Sequence, residues 1–184
     1  MNDLIDYAGP FLPEIDFNDF SHETLARMLT MYAKLYIAID GFWYMTVMDR
    51  HGNDEALACD IKAWKIMSKY EKKQIANAMN IKGNNVLSFI KTLQLSPWFI
   101  HTKYRVDMEN NDSATLTVTY CPTLDALEKE GTGRQQHICS VFEPEVFANY
   151  AALFNPAIEV KSLAPLPRES PKDICCRWSF KLKK

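Results

Sequence analysis

Residues 98–120 have the sequence WFIHTKYRVDMENNDSATLTVTY, and the spacing of their apolar residues differs from that of the chain before them. From Trp98 to Met108, alternate residues are apolar or aromatic, with one threonine among them, and the alternation returns from Ala114 to Tyr120. A two-residue period places alternate side chains on one face of a β-strand, and the intervening ENNDS consists of turn-favouring residues. The stretch therefore predicts a β-hairpin that begins at Trp98 and packs one face against a core.

The chain before this hairpin has helical spacing instead. Apolar residues three or four apart extend from Leu25 to Thr46, between Ser21, which can cap a helix, and Gly52, which suits a left-handed helix end. The second half of this helix is apolar on nearly every face, which predicts that it passes through the middle of the domain. Two further helices are predicted, over residues 53–79 and 85–93.

The chain after the hairpin is predicted to contain one long helix and two more strands. The loop over residues 121–136 contains one helical turn, and the helix begins at Cys139 or Glu143 and ends at Phe154. Strands are expected over residues 155–164 and 174–182, on either side of a proline-rich loop.

The predicted order is α-α-α-β-β-α-β-β, which is typical of an α+β fold with a mainly antiparallel, four-stranded sheet. We expect one domain over residues 1–184. Its parts are an irregular arm (1–20), a helical part (21–95) and a sheet-plus-helix part (96–184).

Composition restricts the class of protein. The chain is 47% hydrophobic and 24% charged, enough for one core, and its formal charge of −2 without a basic patch argues against nucleic-acid binding. The most apolar run, residues 36–48, is 13 residues long and contains Asp40, whereas a membrane span needs about 20 apolar residues. Five cysteines and an N-terminus without the basic residues of a signal peptide predict free thiols and a cytoplasmic location.

Two adjacent cysteines begin the last predicted strand. Neighbouring strand residues point to opposite faces, so Cys176 is predicted to point inward beside Trp178, and Cys175 outward. Cys176 is then either a small buried hydrophobic residue or part of a pocket or metal site.

The other cysteines allow a metal or a nucleophile. Cys121, His137, Cys139 and Cys176 could bind zinc, which favours tetrahedral thiolate and imidazole ligands, or iron, although the sequence has no CxxC motif. Alternatively, one thiol such as that of Cys121 is a catalytic nucleophile, with His137 or Asp40 as its base.

Asp40 lies at the centre of the most apolar helical segment. A buried carboxylate must find a partner, take up a proton or face a cavity, so Asp40 either makes a structural hydrogen bond or serves as a ligand-binding or general acid/base group. Aromatic residues are the other candidates for ligand binding, although they equally suit a plain core: Tyr36, Trp43, Tyr44, Trp64, Trp98 and Trp178.

Several segments carry a resemblance to known proteins: residues 40–75, residues 93–106, the motifs YCP and EGTG, and the C-terminal FNPAIEV and CRWSFKL. Together they resemble an uncharacterised family of short bacterial and archaeal cytosolic proteins near the L-2-amino-thiazoline-4-carboxylic acid hydrolase-like proteins. The layout is more loosely similar to vinyl-reductase-type small-molecule-binding domains. The resemblance implies a ligand pocket between helices and sheet, and ring-opening hydrolysis of a C–N bond in a small cyclic or amide-type substrate.

Two classes of function follow as hypotheses. The first is a cytosolic small-molecule-binding protein, with or without hydrolase activity. The second is a non-catalytic metal or redox sensor that uses its thiols. The expected partner is a small molecule rather than nucleic acid or membrane, and a homo-oligomer is one candidate assembly.

Overall fold

The computed structural model describes residues 3–183, in which six α-helices precede or alternate with four β-strands. The helices are α1 (His22–His51), α2 (Asn53–Ala78), α3 (Val86–Leu93), α4 (Pro122–Glu130), α5 (Gln135–His137) and α6 (Glu143–Phe154). The strands are β1 (Lys103–Asn110), β2 (Ser113–Tyr120), β3 (Ile158–Ser162) and β4 (Cys176–Leu182). A 3-10 turn (Phe17–Asp19) precedes α1, and a π-helical turn (Ile138–Phe142) joins α5 to α6.

The four strands form one antiparallel sheet in the order β1-β2-β4-β3. This confirms the predicted α+β fold with a four-stranded antiparallel sheet. The turn between β1 and β2 is closed where the Asp112 N–H donates to the Asn110 side chain at 2.8 Å, as the turn-forming residues predicted. The inner face of β2 carries Ala114, Leu116 and Val118, all buried.

The prediction that the hairpin begins at Trp98 is wrong, because β1 begins at Lys103. The N–H groups of Phe99 and Ile100 both donate to the Ser96 carbonyl, so this segment forms a helical turn instead of pairing with β2. Alternation of apolar residues cannot distinguish the two structures over so short a segment.

Helices α1 and α2 form a long hairpin at the predicted boundaries. Ser21 caps α1 by accepting the Thr24 N–H at 3.2 Å. Gly52 ends it with φ of +90°, a conformation that side chains with a Cβ avoid, and its N–H donates to the Met48 carbonyl. The next residue starts α2, so the two helices lie antiparallel.

The prediction that α1 passes through the middle of the domain is wrong. Within α1 only Thr24, Ala33 and Tyr44 are buried, and the opposite face is open to solvent. Trp43, for example, is 67% exposed. Helices α3 and α6 lie at the centre of the domain instead, where they pack on the sheet.

The main core lies between those two helices and the inner face of the sheet. Phe89 of α3 packs against Phe180 of β4, with the rings tilted and their centroids 4.8 Å apart, and both side chains are fully buried. Truncation of such a residue to alanine costs about 3–5 kcal/mol. A second, smaller cluster joins α1 and α2 to the π-helical turn through Tyr44, Trp64 and Phe142.

None of the helices in the described part of the chain is both long and apolar enough to cross a membrane.

Candidate functional site

A cavity of about 790 Å³ lies between the two hydrophobic clusters. Its walls come from α1, α2, α4, the π-helical turn, α6 and the inner face of β2 and β4. Aromatic side chains form much of the lining: Trp64, Trp98, Phe99, Phe142, Phe147 and Trp178. Pockets that enclose small molecules measure about 300–1,000 Å³ and are mainly apolar, so this cavity has the size and lining of a ligand site.

Two aspartates meet in the wall where α1 faces α2. Asp40 accepts a hydrogen bond from the Trp64 indole N–H at 3.0 Å, and Asp60 lies one turn before Trp64 on α2. Burial raises the pKa of both carboxyl groups, and the Asp40 charge raises that of Asp60 further. Two buried carboxylates side by side cannot both ionise readily, so the pair retains a proton near neutral pH.

A third carboxyl group, that of Glu143, lines the cavity at the first residue of α6. The Glu143 side chain is half-buried. Burial raises the pKa of Glu143 to about 7. Its carboxyl group therefore exchanges a proton close to neutral pH, which is typical of general acids and bases in active sites.

Four of the five thiols line this cavity: Cys121, Cys139, Cys175 and Cys176. Burial raises the pKa of Cys121 to about 12, and the nearby Glu143 charge contributes. Burial also raises the pKa of Cys139 and Cys176 well above the ordinary range. These thiols are therefore uncharged at neutral pH and weak as nucleophiles.

Cys121 has a structural contact in addition. Its sulfur accepts the Leu124 N–H at 3.5 Å and so caps α4 at its first turn, which Pro122 begins. This helix is nine residues long, where the sequence predicted a single helical turn.

The prediction that Cys175 points outward is wrong, because its side chain is only 4% exposed and lines the cavity. The strand β4 begins at Cys176, so strand alternation does not extend to Cys175. Instead the Cys175 N–H donates to the Val118 carbonyl at 2.9 Å. Cys176 is half-buried in the cavity wall near Trp178, as predicted.

Basic side chains of the wall are partly neutralised. Arg134 is ion-paired with Glu130, with its Nε donating to Oε1 at 2.9 Å, and its guanidinium lies 5.2 Å from the centre of the Tyr44 ring. Lys34 is exposed at the α1 side of the cavity, and burial together with the Lys34 charge lowers the pKa of His101. Carboxyl groups are thus the main ionisable groups available to a ligand deep in the cavity.

Most of the residues proposed from the sequence lie in this wall. They are Asp40, Tyr44, Trp64, Trp98, Cys121, Cys139, Cys176 and Trp178. Tyr36 and Trp43 line a separate groove of about 260 Å³ between α1 and α2. His137 is exposed and is not part of the cavity wall, so it does not join the three cysteines.

The four proposed metal ligands do not form a binding set. Among residues 3–183, no three His, Cys, Asp or Glu side chains are placed so that they could hold a metal ion. We therefore assign no zinc or iron site.

Asp60, Glu143 and Cys175 were not identified as site residues from the sequence. Asp60 and Trp64 are four residues apart on α2 and so share a helix face, which was the one available signal. Glu143 precedes Pro144 and has the pattern of an ordinary acidic residue in a first helical turn. Only the packing of α6 against the cavity distinguishes it.

One more buried carboxyl group holds the cavity wall in place. Glu71 of α2 accepts hydrogen bonds from Ser96, from the Tyr150 hydroxyl at 3.0 Å and from the Trp98 indole N–H at 3.2 Å. This network ties α2 to α6 and fixes the indole of Trp98.

Comparison with known proteins gives a family but no activity. A family model described as a family of unknown function (DUF6125) matches residues 18–182. No curated protein matches the chain, and no solved structure does. Since the match covers nearly the whole sequence, the chain belongs to this family of unknown function.

Proposed function

We propose that the protein binds a small, mainly apolar molecule in the 790 Å³ cavity. The observation that carries this proposal is the combination of an aromatic lining with three carboxyl groups that belong to Asp40, Asp60 and Glu143. A cavity that served packing alone would not expose several ionisable groups, because each costs free energy when it loses water.

The carboxyl groups indicate the polar part of the ligand. A carboxyl pair that shares one proton offers both a hydrogen-bond donor and an acceptor. Amides and nitrogen heterocycles present the complementary acceptor and donor on adjacent atoms. This supports the small heterocyclic or amide-type ligand that the resemblance to thiazoline-carboxylic acid hydrolase-like proteins implies.

Hydrolysis of a C–N bond in such a ligand is a second candidate, favoured by Glu143, whose pKa of about 7 suits a general base. In this scheme Glu143 takes a proton from a water molecule while the oxygen of that water attacks the carbonyl or imine carbon. The C–N bond then breaks, and the protonated member of the Asp40–Asp60 pair gives its proton to the leaving nitrogen.

A nucleophilic Cys121 has less support, because its thiol is uncharged and caps α4. Thiol-based metal sensing has less support because, among residues 3–183, no three His, Cys, Asp or Glu side chains are placed to hold a metal ion. Thiol-based redox sensing has less support for a reason related to the thiol pKa values. Burial raises the pKa of each cavity thiol, which lowers its reactivity.

The test is calorimetric titration with benzamide, 2-aminothiazoline and indole-3-carboxamide, and with cyclohexane carboxylate as an anionic comparison. We expect binding of at least one N–H-bearing compound, and weaker binding by Asp60→Asn and Glu143→Gln. Glu145→Gln is the matched control, because Glu145 lies on α6 outside the cavity and pairs with Lys65 at the surface. Binding unchanged by both cavity substitutions would contradict the assigned site.

Turnover is tested separately, by following ammonia or ring-opened product from the compounds that bind. The hydrolase scheme expects Glu143→Gln to lose turnover by about 100-fold or more while it still binds ligand. Cys121→Ala should retain turnover. A ligand that binds and is never converted leaves the binding proposal in place and excludes hydrolysis of that compound.

A further inference from the structure

The side of α1 that faces away from the domain is apolar over four turns. We call this surface the outer face of α1 and define it by seven side chains that are each 45–67% exposed: Leu29, Met31, Tyr32, Leu35, Ile39, Phe42 and Trp43. Between Met28 and Met48 the chain has only two charged residues, Lys34 and Asp40. Lys34 lines the cavity and Asp40 bonds to Trp64, so neither interrupts the outer face.

A helix that is apolar on all sides is normally buried on all sides. The fold buries one side of α1 against α2 and the cavity, and leaves the other uncovered. From their exposed fractions, the seven side chains present on the order of 900 Å² of surface. A stable protein interface buries about 800 Å² on each partner, so the outer face together with the groove beside it is of the required order of size.

We propose that the outer face of α1 packs against the same face of a second copy of this chain, as a symmetric dimer with antiparallel α1 helices. In a two-fold interface each patch must complement itself. An antiparallel arrangement centred near Tyr36 brings the N-terminal end of one α1 to the C-terminal end of the other.

The helix dipoles suit this arrangement. Antiparallel pairing places the positive N-terminal end of each α1 beside the negative C-terminal end of the other, which is electrostatically favourable. A parallel pair would place like ends together.

The groove beside the outer face gives the second copy a place to insert. Tyr36, Ile39, Trp43, Ala63 and Met67 line this groove of about 260 Å³ between α1 and α2. Side chains that project from the facing α1 can enter it, as ridges of one helix fill grooves between others. The outer face thus supplies both a ridge and a groove, as self-association requires.

A membrane surface is the competing occupant, and the charge pattern disfavours it. Helices that lie on membranes carry an excess of lysine and arginine on their polar face. Helix α1 has three lysine or arginine and three aspartate or glutamate side chains, and so no excess of lysine and arginine.

Dimerisation would also stabilise one wall of the cavity. Phe42 belongs to the outer face and lines the cavity, next to Ala38 and Gly41 in the same wall. A second copy would therefore hold that wall of the ligand site in place.

The test is the mass of the full chain in solution, by sedimentation equilibrium from low to high micromolar concentration. We expect twice the chain mass of 21.2 kDa for the wild type. Ile39→Glu should weaken association by about 100-fold or more, since it buries two unpaired charges at the interface. Ile39 is 63% exposed in the single chain, so this variant should fold, as circular dichroism will show.

Ile66→Glu is the matched control. Ile66 is 67% exposed on α2 and lies outside the outer face and the groove, so this variant should remain a dimer. A monomeric wild type at every concentration would overturn the proposal, as would a dimer that survives Ile39→Glu or one that Ile66→Glu dissociates. A monomer that cosediments with anionic phosphatidylglycerol vesicles would assign the outer face to membrane binding instead.

Discussion

Trp64 shows how single residues organise the cavity. Its indole N–H donates to Asp40, and its ring lies edge-on to Trp98 and Phe142, with centroids 5.7 and 6.2 Å away. One side chain thus joins the polar and apolar parts of the wall. Because edge-to-face contacts constrain the ring, the carboxyl pair beside it has a defined position.

The thiols give a prediction at the residue scale. Cys59 is exposed on α2, whereas Cys121, Cys139, Cys175 and Cys176 are buried or half-buried in the cavity wall and uncharged. We expect 5,5′-dithiobis(2-nitrobenzoate) to modify one thiol rapidly in the native protein and all five in urea. The visible absorbance of the released thiolate measures the number and rate of the modified thiols.

Cys59→Ser is the control for that assignment. It should remove the rapid phase and leave the slow reaction of the four cavity thiols unchanged. Rapid modification of a cavity thiol would show that the site is open to bulky reagents and would favour a thiol-based function.

At the scale of elements, the helix boundaries depend on local chemistry. Asn85 caps α3 by accepting the Ser88 N–H at 3.1 Å, just as Ser21 caps α1. Gly83 precedes this cap with φ of +112°, and a Cβ there would lie 2.5 Å from the Ser88 hydroxyl. The α2–α3 connection therefore requires glycine.

Two glycines should respond in opposite directions to alanine. We expect Gly83→Ala to lower the free energy of unfolding by about 1–3 kcal/mol, because it combines a disfavoured φ with a close contact. Gly41→Ala should raise it by about 0.5–1 kcal/mol, since Gly41 lies within α1 and an added Cβ meets nothing within 4 Å. Urea denaturation measures the free energy of unfolding of both variants. If both substitutions changed it in the same direction and by the same amount, the different backbone conformations assigned to Gly83 and Gly41 would be contradicted.

At the scale of the whole molecule, buried acids set the pH dependence of stability. Burial raises the pKa of the Asp40–Asp60 pair, Glu71 and Glu143 above their ordinary values. Between the unfolded and folded pKa values the folded state binds more protons than the unfolded state, so the free energy of unfolding falls as pH rises. Burial lowers the pKa of His101, which has the opposite effect, but His101 is a single group that acts below its ordinary value of 6.5.

We therefore expect the protein to be more stable at pH 5 than at pH 8, as measured by urea denaturation. Glu143→Gln should be more stable than the wild type at pH 8, by roughly 3 kcal/mol at most, from a pKa of about 7 against an ordinary 4.5. Near pH 4 the two proteins should have similar stability, because Glu143 is then protonated in both states. Glu145→Gln should follow the wild-type curve, and a wild type that gains stability toward pH 8 would contradict these directions.

The sequence by itself determined the elements and the fold class. Periodicity located α1, α2, α3, α6 and the approximate positions of the four strands, because it depends on neighbours along the chain. The Ser21 cap and Gly52 located the two ends of α1. The sequence also identified Asp40 as a residue that needs a partner, and that partner is Trp64. Over 98–102, where helix and strand patterns coincide, periodicity was not sufficient.

Only the tertiary structure decided which side chains share the cavity and which face of α1 remains uncovered. Asp60 and Glu143 belong to helices distant in sequence, and their proximity depends on packing between elements. Cys175 is buried because the chain leaves strand geometry one residue before β4. An apolar pattern indicates that a surface avoids water, but the pattern does not indicate whether the rest of the same domain or a second chain covers that surface.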